Sequence, residues 1–362
     1  MKRSTITMLI AWLLLMGQPG IIFADYVMMC TFFQNPEARV FKVSDDGDIS
    51  LDYSLEVGGY PLSIEFAPNG KWGLVGGNTT VGHPDRQITI VLGVDQNRKI
   101  SVLGTAHNEY GPLVAISPDS KYGVYDAELR TLSFNNRDKT FTVIPCDNPV
   151  SAGFYASFSF LNNNFYVENG YQTVVEYSIS QDGKAKPTGF TLDISPSDGY
   201  QDIKVSPDGK TCILLTIGTY EITSLRILKN GGCSIAHQFN TSSYTPDEVY
   251  FTPDSKIAVV AFWDQENLRS FLIGGDSKLI EADAIDLPGY PGEDMAITPD
   301  GKYVITRELI LSNSYFYVVR INSDGTLEYL PEKNYACSGA VSAMAFVPPQ
   351  ITSTDESWTF YE

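Results

Sequence analysis

Residues suited to metal and redox chemistry are scarce in this 362-residue chain, which has three histidines and five cysteines. The cysteines (Cys30, Cys146, Cys212, Cys233 and Cys337) form no C-x-x-C pair and no metal-ligand spacing, which excludes a zinc ribbon, a thioredoxin-like pair and c-type haem attachment. Also missing are G-x-S-x-G, H-E-x-x-H and a P-loop, and their absence argues against a serine hydrolase, a zincin and a phosphate-cradling nucleotide site. Basic side chains are outnumbered, 25 Lys and Arg against 43 Asp and Glu, for a formal net charge of −18. Spread along the chain, that charge repels nucleic acid and anionic membranes, so neither is expected as a partner.

Long apolar runs are nearly absent too. The one near the start, "ITMLIAWLLLM" (6–16), follows Lys2 and Arg3 and gives way to Gly17, Pro19 and Gly20 before Asp25. It is short for a bilayer span and has the layout of an export signal (1–24) cleaved after Ala24. The expected mature chain is secreted or periplasmic, has no membrane span and acts as a monomer.

What the chain has in quantity is a repeated phrase. "IEFAPNGKWGLVGG" (64–77) returns as "VAISPDSKYGVYDA" (114–127), "IKVSPDGKTCILLT" (203–216), "VYFTPDSKIAVVAF" (249–262) and "MAITPDGKYVITRE" (295–308). Each copy is an apolar stretch, a Pro-Asp-Gly-like turn and a second apolar stretch, which is a hairpin signal. The phrase prolines are Pro68, Pro118, Pro207, Pro253, Pro299 and Pro348, and only the step from Pro118 to Pro207 is about double the others. A degenerate copy is therefore expected inside it, and "YASFSFLNNNFYVEN" (155–169) fits.

A second hairpin recurs half a period later, as in "VFKVSDDGDISL" (40–51) and "VVRINSDGTLEY" (318–329). Two hairpins per repeat make four strands, the content of a β-propeller blade. The chain begins with three strands (26–52) and ends with one (342–348), so the spacing predicts an all-β, seven-bladed propeller whose closing blade is shared between the two ends. Residues 25–349 then form one domain, with 350–362 as a loosely held tail.

The stretches "VGGYPLSIEFAPNGKWGLVGG" (57–77), "LPGYPGEDMAITPDGKYVITRE" (287–308) and "VVRINSDGTLEYLPE" resemble the YVTN and lactonase (6-phosphogluconolactonase-like) propellers, which are WD40-like in architecture. The resemblance covers nearly all of 26–349. It implies the fold, and lactone hydrolysis as one activity found on that fold; the shared residues are those of turns and core, so they carry no site.

Candidate site residues come from chain direction, which brings the loop entering each innermost strand and the loop leaving each second strand to one face, around the channel mouth. Five residues before each phrase proline stand Ser63, Leu113, Asp202, Glu248, Asp294 and Ala343, with Ser157 assigned from the degenerate copy. Asp202, Glu248 and Asp294 thus form an acidic arc over three consecutive blades, a candidate site for calcium or a cationic ligand or else a wet, solvated rim. Glu168, Asp264, Glu308 and His83 are candidate ligand-binding groups on the same face. A metal-free lactonase needs a general base and an oxyanion partner, and His107 or Glu128 with Arg307 are the candidates. Cys30 and Cys337 are placed where a disulfide could lock the ring.

The leading expectation is an exported binding or interaction module that uses this acidic mouth for a small molecule or protein. The alternatives are a lactonase-like hydrolase of a small sugar-derived or cyclic ester and a cation-stabilised cell-surface component.

Overall fold

The computed structural model describes residues 25–350 except for 33–36, 59, 79–86, 109–113, 126–128, 145–155, 170–172, 195–199, 217–218, 243, 263–264, 266, 290, 309–312 and 339. Seven four-stranded antiparallel sheets follow one another, the sixth carrying an additional short strand, Tyr335–Ser338, on its third. Blades one to six have innermost strands Tyr60–Phe66, Val114–Ile116, Ala156–Phe158, Tyr200–Val205, Pro246–Phe251 and Pro291–Ile297. The seventh is ordered Ala340–Val347, Asp25–Phe32, Glu37–Val43, Ile49–Glu56, so the last strand of the chain pairs with the first, from Tyr26 opposite Val347 to Phe32 opposite Ala340. Each innermost strand touches the next, and Ala340–Val347 touches Tyr60–Phe66, which closes the ring.

Strand composition follows position in the blade. Second strands are packed against a neighbouring blade on both faces and read as continuous buried runs, as in "TCILLT" (Thr211–Thr216) and "IAVVAF" (Ile257–Phe262). Outermost strands alternate, as in "LIEADAID" (Leu279–Asp286), because one face meets water. The apolar residues gather into seven clusters, each joining two neighbouring blades; Ile213 and Leu215 of blade four, for example, pack with Val260 and Phe262 of blade five.

The repeated phrase is a turn with its own hydrogen bonds. In blade four Ser206 Oγ donates to Asp208 Oδ1 at 2.7 Å, Lys210 N donates to the same oxygen at 3.1 Å, and Thr211 N donates to Ser206 Oγ at 3.0 Å. Gly209 closes the turn at φ +72°, and a Cβ there would lie 2.3 Å from the backbone nitrogen of Leu161 in blade three. The same geometry repositions the degenerate copy. Ser159 takes the role of Ser206, with Ser159 N bonded to Asn164 O as Ser206 N is to Thr211 O, so Phe160 stands where the proline would be. Ser157 is therefore three residues before that position, not five.

The outer turns tie blade to blade. At equivalent places on four third strands, Thr131, Glu176, Ser224 and Ser270 reach the left-handed end of the next blade's outer turn, at Gly183, Gly232, Ser277 and Gly325. The seam of the ring has its own contacts: Arg98 donates to Val347 O and lies 4.8 Å from the Tyr26 ring centre, and Gln350 Nε2 donates to Gly70 O, Val94 O and Asp95 O. The tail is thus held at its first residue, Gln350; 351–362 lie outside the described residues.

Candidate functional site in the central channel

An innermost strand has no further strand on its channel side, so some of its N–H groups must find other acceptors. Side chains of the preceding blade supply them. Ile116 N donates to Glu65 Oε1 at 3.2 Å, Val205 N to Ser157 Oγ at 3.0 Å, Val249 N to Asp202 Oδ2 at 3.2 Å and Met295 N to Glu248 Oε2 at 2.8 Å. Asp202 and Glu248 of the acidic arc are therefore built into the channel wall as N–H caps; Asp202 is 4% and Asp294 7% exposed.

Cations sit among these carboxylates. Arg307 Nε, 4% exposed on the second strand of blade six, donates to Asp294 Oδ2 at 2.9 Å. Lys204 lies two residues beyond Asp202, with its ammonium 5.4 Å from the Tyr250 ring centre. Burial lowers the pKa of Lys204, but Asp202, Glu248 and Glu65 outweigh it and raise the ammonium above its usual range.

The carboxylates shift upward. Burial raises Asp202 against the pull of Lys204 and the N–H groups of Val249 and Ile203, and burial raises Asp294 against the pull of Arg307. Glu248 goes well above the usual carboxylate range through burial, then through the like charges of Asp294 and Asp202. Glu65 is pushed up to about 7, again by burial. Tyr250, hydrogen-bonded to Glu248, is raised well above its usual value by burial and by the neighbouring carboxylates. A buried carboxyl that holds its proton near neutrality can exchange it with a reacting group.

Not every sequence candidate joins this site. Among the described residues no three His, Cys, Asp or Glu side chains group as a metal-ligand set. One oxygen each of Asp202, Glu248 and Asp294 is turned to Val249 N, Met295 N and Arg307. Glu308 lies over Gly289, where a Cβ would be 2.4 Å from its Oε1. His107 falls in the outermost strand of blade one, opposite Ile88, and not in the loop leading to blade two; its side chain lies outside the described residues. Glu168 pairs with Val174 in blade three, with its side chain likewise outside them, and His83, Glu128 and Asp264 fall wholly outside. Cys337 is buried in the short strand beside Asn313–Ile321 and accepts a hydrogen bond from Arg39 Nη1 at 3.1 Å. The side chain of Cys30, and with it the expected bridge, lies outside the described residues.

Three channel residues are not among the sequence candidates: Glu65, Lys204 and Tyr250. Their signal is the position three before each phrase proline, where these polar side chains replace Ala115, Ala296 and Ala345.

The solved structures that share this architecture include a periplasmic gluconolactonase from Pseudomonas aeruginosa, 14% identical, with 90% of this chain and 99% of that one covered at a TM-score of 0.72. The fold is that of the lactonase-type propellers. A protein provisionally named a 6-phosphogluconolactonase from Bacteroides fragilis matches at 13% identity and TM-score 0.72, covering 90% of this chain and 98% of that one. A hypothetical selenium-binding protein from Sulfolobus tokodaii matches at 10% identity and TM-score 0.68, covering 91% and 94%. These identities establish the fold alone. No family model matches the chain, and no curated protein matches it. Among the described residues no helix is long and apolar enough to cross a membrane.

Proposed function

We propose that the protein is a lactonase-like hydrolase of a small sugar-derived or cyclic ester, working at the channel wall of blades four to six. The observation that carries this reading is the convergence of a proton-holding carboxyl, Glu248, with Lys204 and the Arg307–Asp294 pair, on a fold shared with a gluconolactonase. Glu248, which holds its proton, is suited to give it to the ring oxygen that leaves as water opens the ester, while Lys204 and Arg307 supply positive charge for the oxyanion that forms as the carbonyl is attacked. The test is hydrolysis of gluconolactone-type and homoserine-lactone-type esters by residues 25–362, with and without calcium. Turnover that falls at least a hundredfold in Glu248→Gln and in Lys204→Met supports the reading. Turnover that is lost instead in His107→Ala with Glu128→Ala moves the site to the outer mouth, and none on any ester removes the enzyme.

One observation favours a second reading, a binding module without chemistry: Glu248 and Asp202 both spend an oxygen on a backbone N–H, as purely structural groups would. On either reading we place the mature protein outside the cytoplasm. The charged and then apolar leading segment supports this, as does the periplasmic location in one neighbour's name. An N-terminus at Asp25 in protein recovered from the producing cell's periplasm or medium is the expected result, and an intact Met1 contradicts it.

A further inference from the structure

Among the described residues, every blade but one blunts its outer edge at the same point. After the third residue pair from the outer turn, the outermost strands of blades one, three, four, five and seven slip register at a bulge. In blade six the strand breaks there, and the short helical turn Pro331–Lys333 intervenes before Tyr335–Ser338. Bulges and breaks keep an exposed strand from accepting another. Blade two has neither: Thr140–Ile144 pairs without a shift, from Asn135 opposite Thr140 to Thr131 opposite Ile144. Its sequence, "TFTVI", has no charge and no proline, and Val143 is 41% exposed. Such an edge is a template for one more strand.

The chain's own tail leaves the propeller beside it. Gln350 lines a cavity of about 360 Å³ between the outer turns of blades one and two, together with Lys71, Phe134, Asn136 and Lys139. Lys139 immediately precedes Thr140, so the cavity adjoins the start of the bare edge. In the other phrase turns Lys121, Lys210, Lys256 and Lys302 each pair with the aspartate two residues before them. Blade one has Asn69 at that place, with its amide turned to Asn136 Oδ1, so Lys71 lacks such a carboxylate. Neither Lys71 nor Lys139 has an ion-pair partner among the described residues. The one carboxylate in the lining, Asp95, is taken by Asn97 N and Lys99 N.

Residues 351–362, "ITSTDESWTFYE", carry Asp355, Glu356 and Glu362 with no Lys or Arg, and a β-prone run from Trp358 to Tyr361. The stretch from Gln350 to Trp358 can span roughly 26 Å, ample to cross the cavity and reach Thr140.

We infer that residues 351–362 add a fifth strand to blade two, with Asp355 and Glu356 against Lys71 and Lys139 and the run from Trp358 to Tyr361 paired along Thr140–Ile144. The tail continues the strand that closes the ring. Its docking therefore fastens blade seven to blade two across blade one and covers the edge most open to a second copy.

The test is amide hydrogen exchange in residues 25–362, with substitutions in the tail that leave the propeller itself untouched. Thr359→Pro with Phe360→Pro is expected to speed exchange along Thr140–Ile144 at least tenfold while Leu279–Asp286 of blade five stays unchanged. Lys71→Glu with Lys139→Glu should speed the same amides, and adding Asp355→Lys with Glu356→Lys should restore their protection. Exchange along Thr140–Ile144 that is the same in parent and proline variant overturns the inference. Sedimentation then shows what holds the edge: a monomer means that it is bare, and a dimer means that a second copy covers it in place of the tail.

Discussion

Two glutamates, one buried between blades and one half-buried on the channel wall, ionise in opposite senses. Glu176 is 2% exposed between blades three and four, where Tyr166 Oη, Thr188 Oγ1 and Gly232 N donate to it at 2.8, 2.7 and 2.8 Å. Burial pushes its carboxyl up, but these bonds and one from Asn164 outweigh it and hold the carboxyl below its usual range. Glu65 receives one backbone N–H and faces Lys204, and burial wins. The lesson is that the supply of donors, more than depth, decides which carboxylate stays charged. The interface between blades uses a carboxylate as a clamp; the channel gives Glu65 and Glu248 one backbone N–H each, which leaves them suited to proton transfer.

The largest effect that can break this contrast lies at the one close buried ion pair of the channel. Arg307→Met leaves Asp294 without its cation and is expected to cost about 3 to 5 kcal/mol in denaturant unfolding, while Arg307→Met with Asp294→Leu recovers most of it. A double variant as unstable as the single one would show that the pair is not the unit.

Next comes pH. Because the folded pKa of Glu65 lies above the ordinary 4.5, the folded state binds its proton more tightly than the unfolded chain does. Its contribution to stability is therefore favourable at pH 4, declines as pH rises from 4.5 to about 7, and is flat above. Glu65→Gln should gain up to about 3 kcal/mol relative to the parent between pH 4 and pH 8. Glu176 runs the other way: its lowered carboxyl supports the fold above the unfolded pKa and loses that support as pH falls through the folded one. Glu176→Gln should cost about 1 to 3 kcal/mol at pH 7, less in acid, since Gly232 N and Tyr166 Oη lose a charged acceptor. Parallel pH profiles for the two variants would erase the distinction.

The smallest effect is expected at the base. Lys256 and Asp254 pair at 3.1 Å with side chains 75% and 52% exposed, so Lys256→Ala should change stability by no more than about 0.5 kcal/mol and leave lactone turnover unaltered.

Much of the fold was legible because a propeller repeats its turns, and turns are set by local chemistry. Ring closure followed from counting three strands at one end and one at the other, and the seventh sheet has that composition. The degenerate copy was displaced by two residues for a physical reason: side chains alternate along a strand with period two, so a slip of two keeps every apolar residue on its own face. With Phe160 in place of proline, nothing in the pattern marked the slip. The acidic arc was legible as a set of positions on three consecutive blades, but its role was not. That Asp202 and Glu248 cap the N–H groups of the following blade depends on how far neighbouring inner strands are offset, which no single repeat encodes. Lys204 and Tyr250 carry no repeat signal, because the same position is alanine in three other copies (Ala115, Ala296 and Ala345) and a side chain that varies from blade to blade is not set by the fold.

The opposite ionisation of Glu65 and Glu176 can be read directly. Titration of the glutamate side-chain carboxyl carbons by NMR, with Glu65 and Glu176 assigned through their Gln variants, should give an inflection for Glu65 at about 7 and one for Glu176 below 4.5. Glu65 titrating at or below 4.5 would contradict the account, because the channel wall would then be an ordinary set of charged carboxylates.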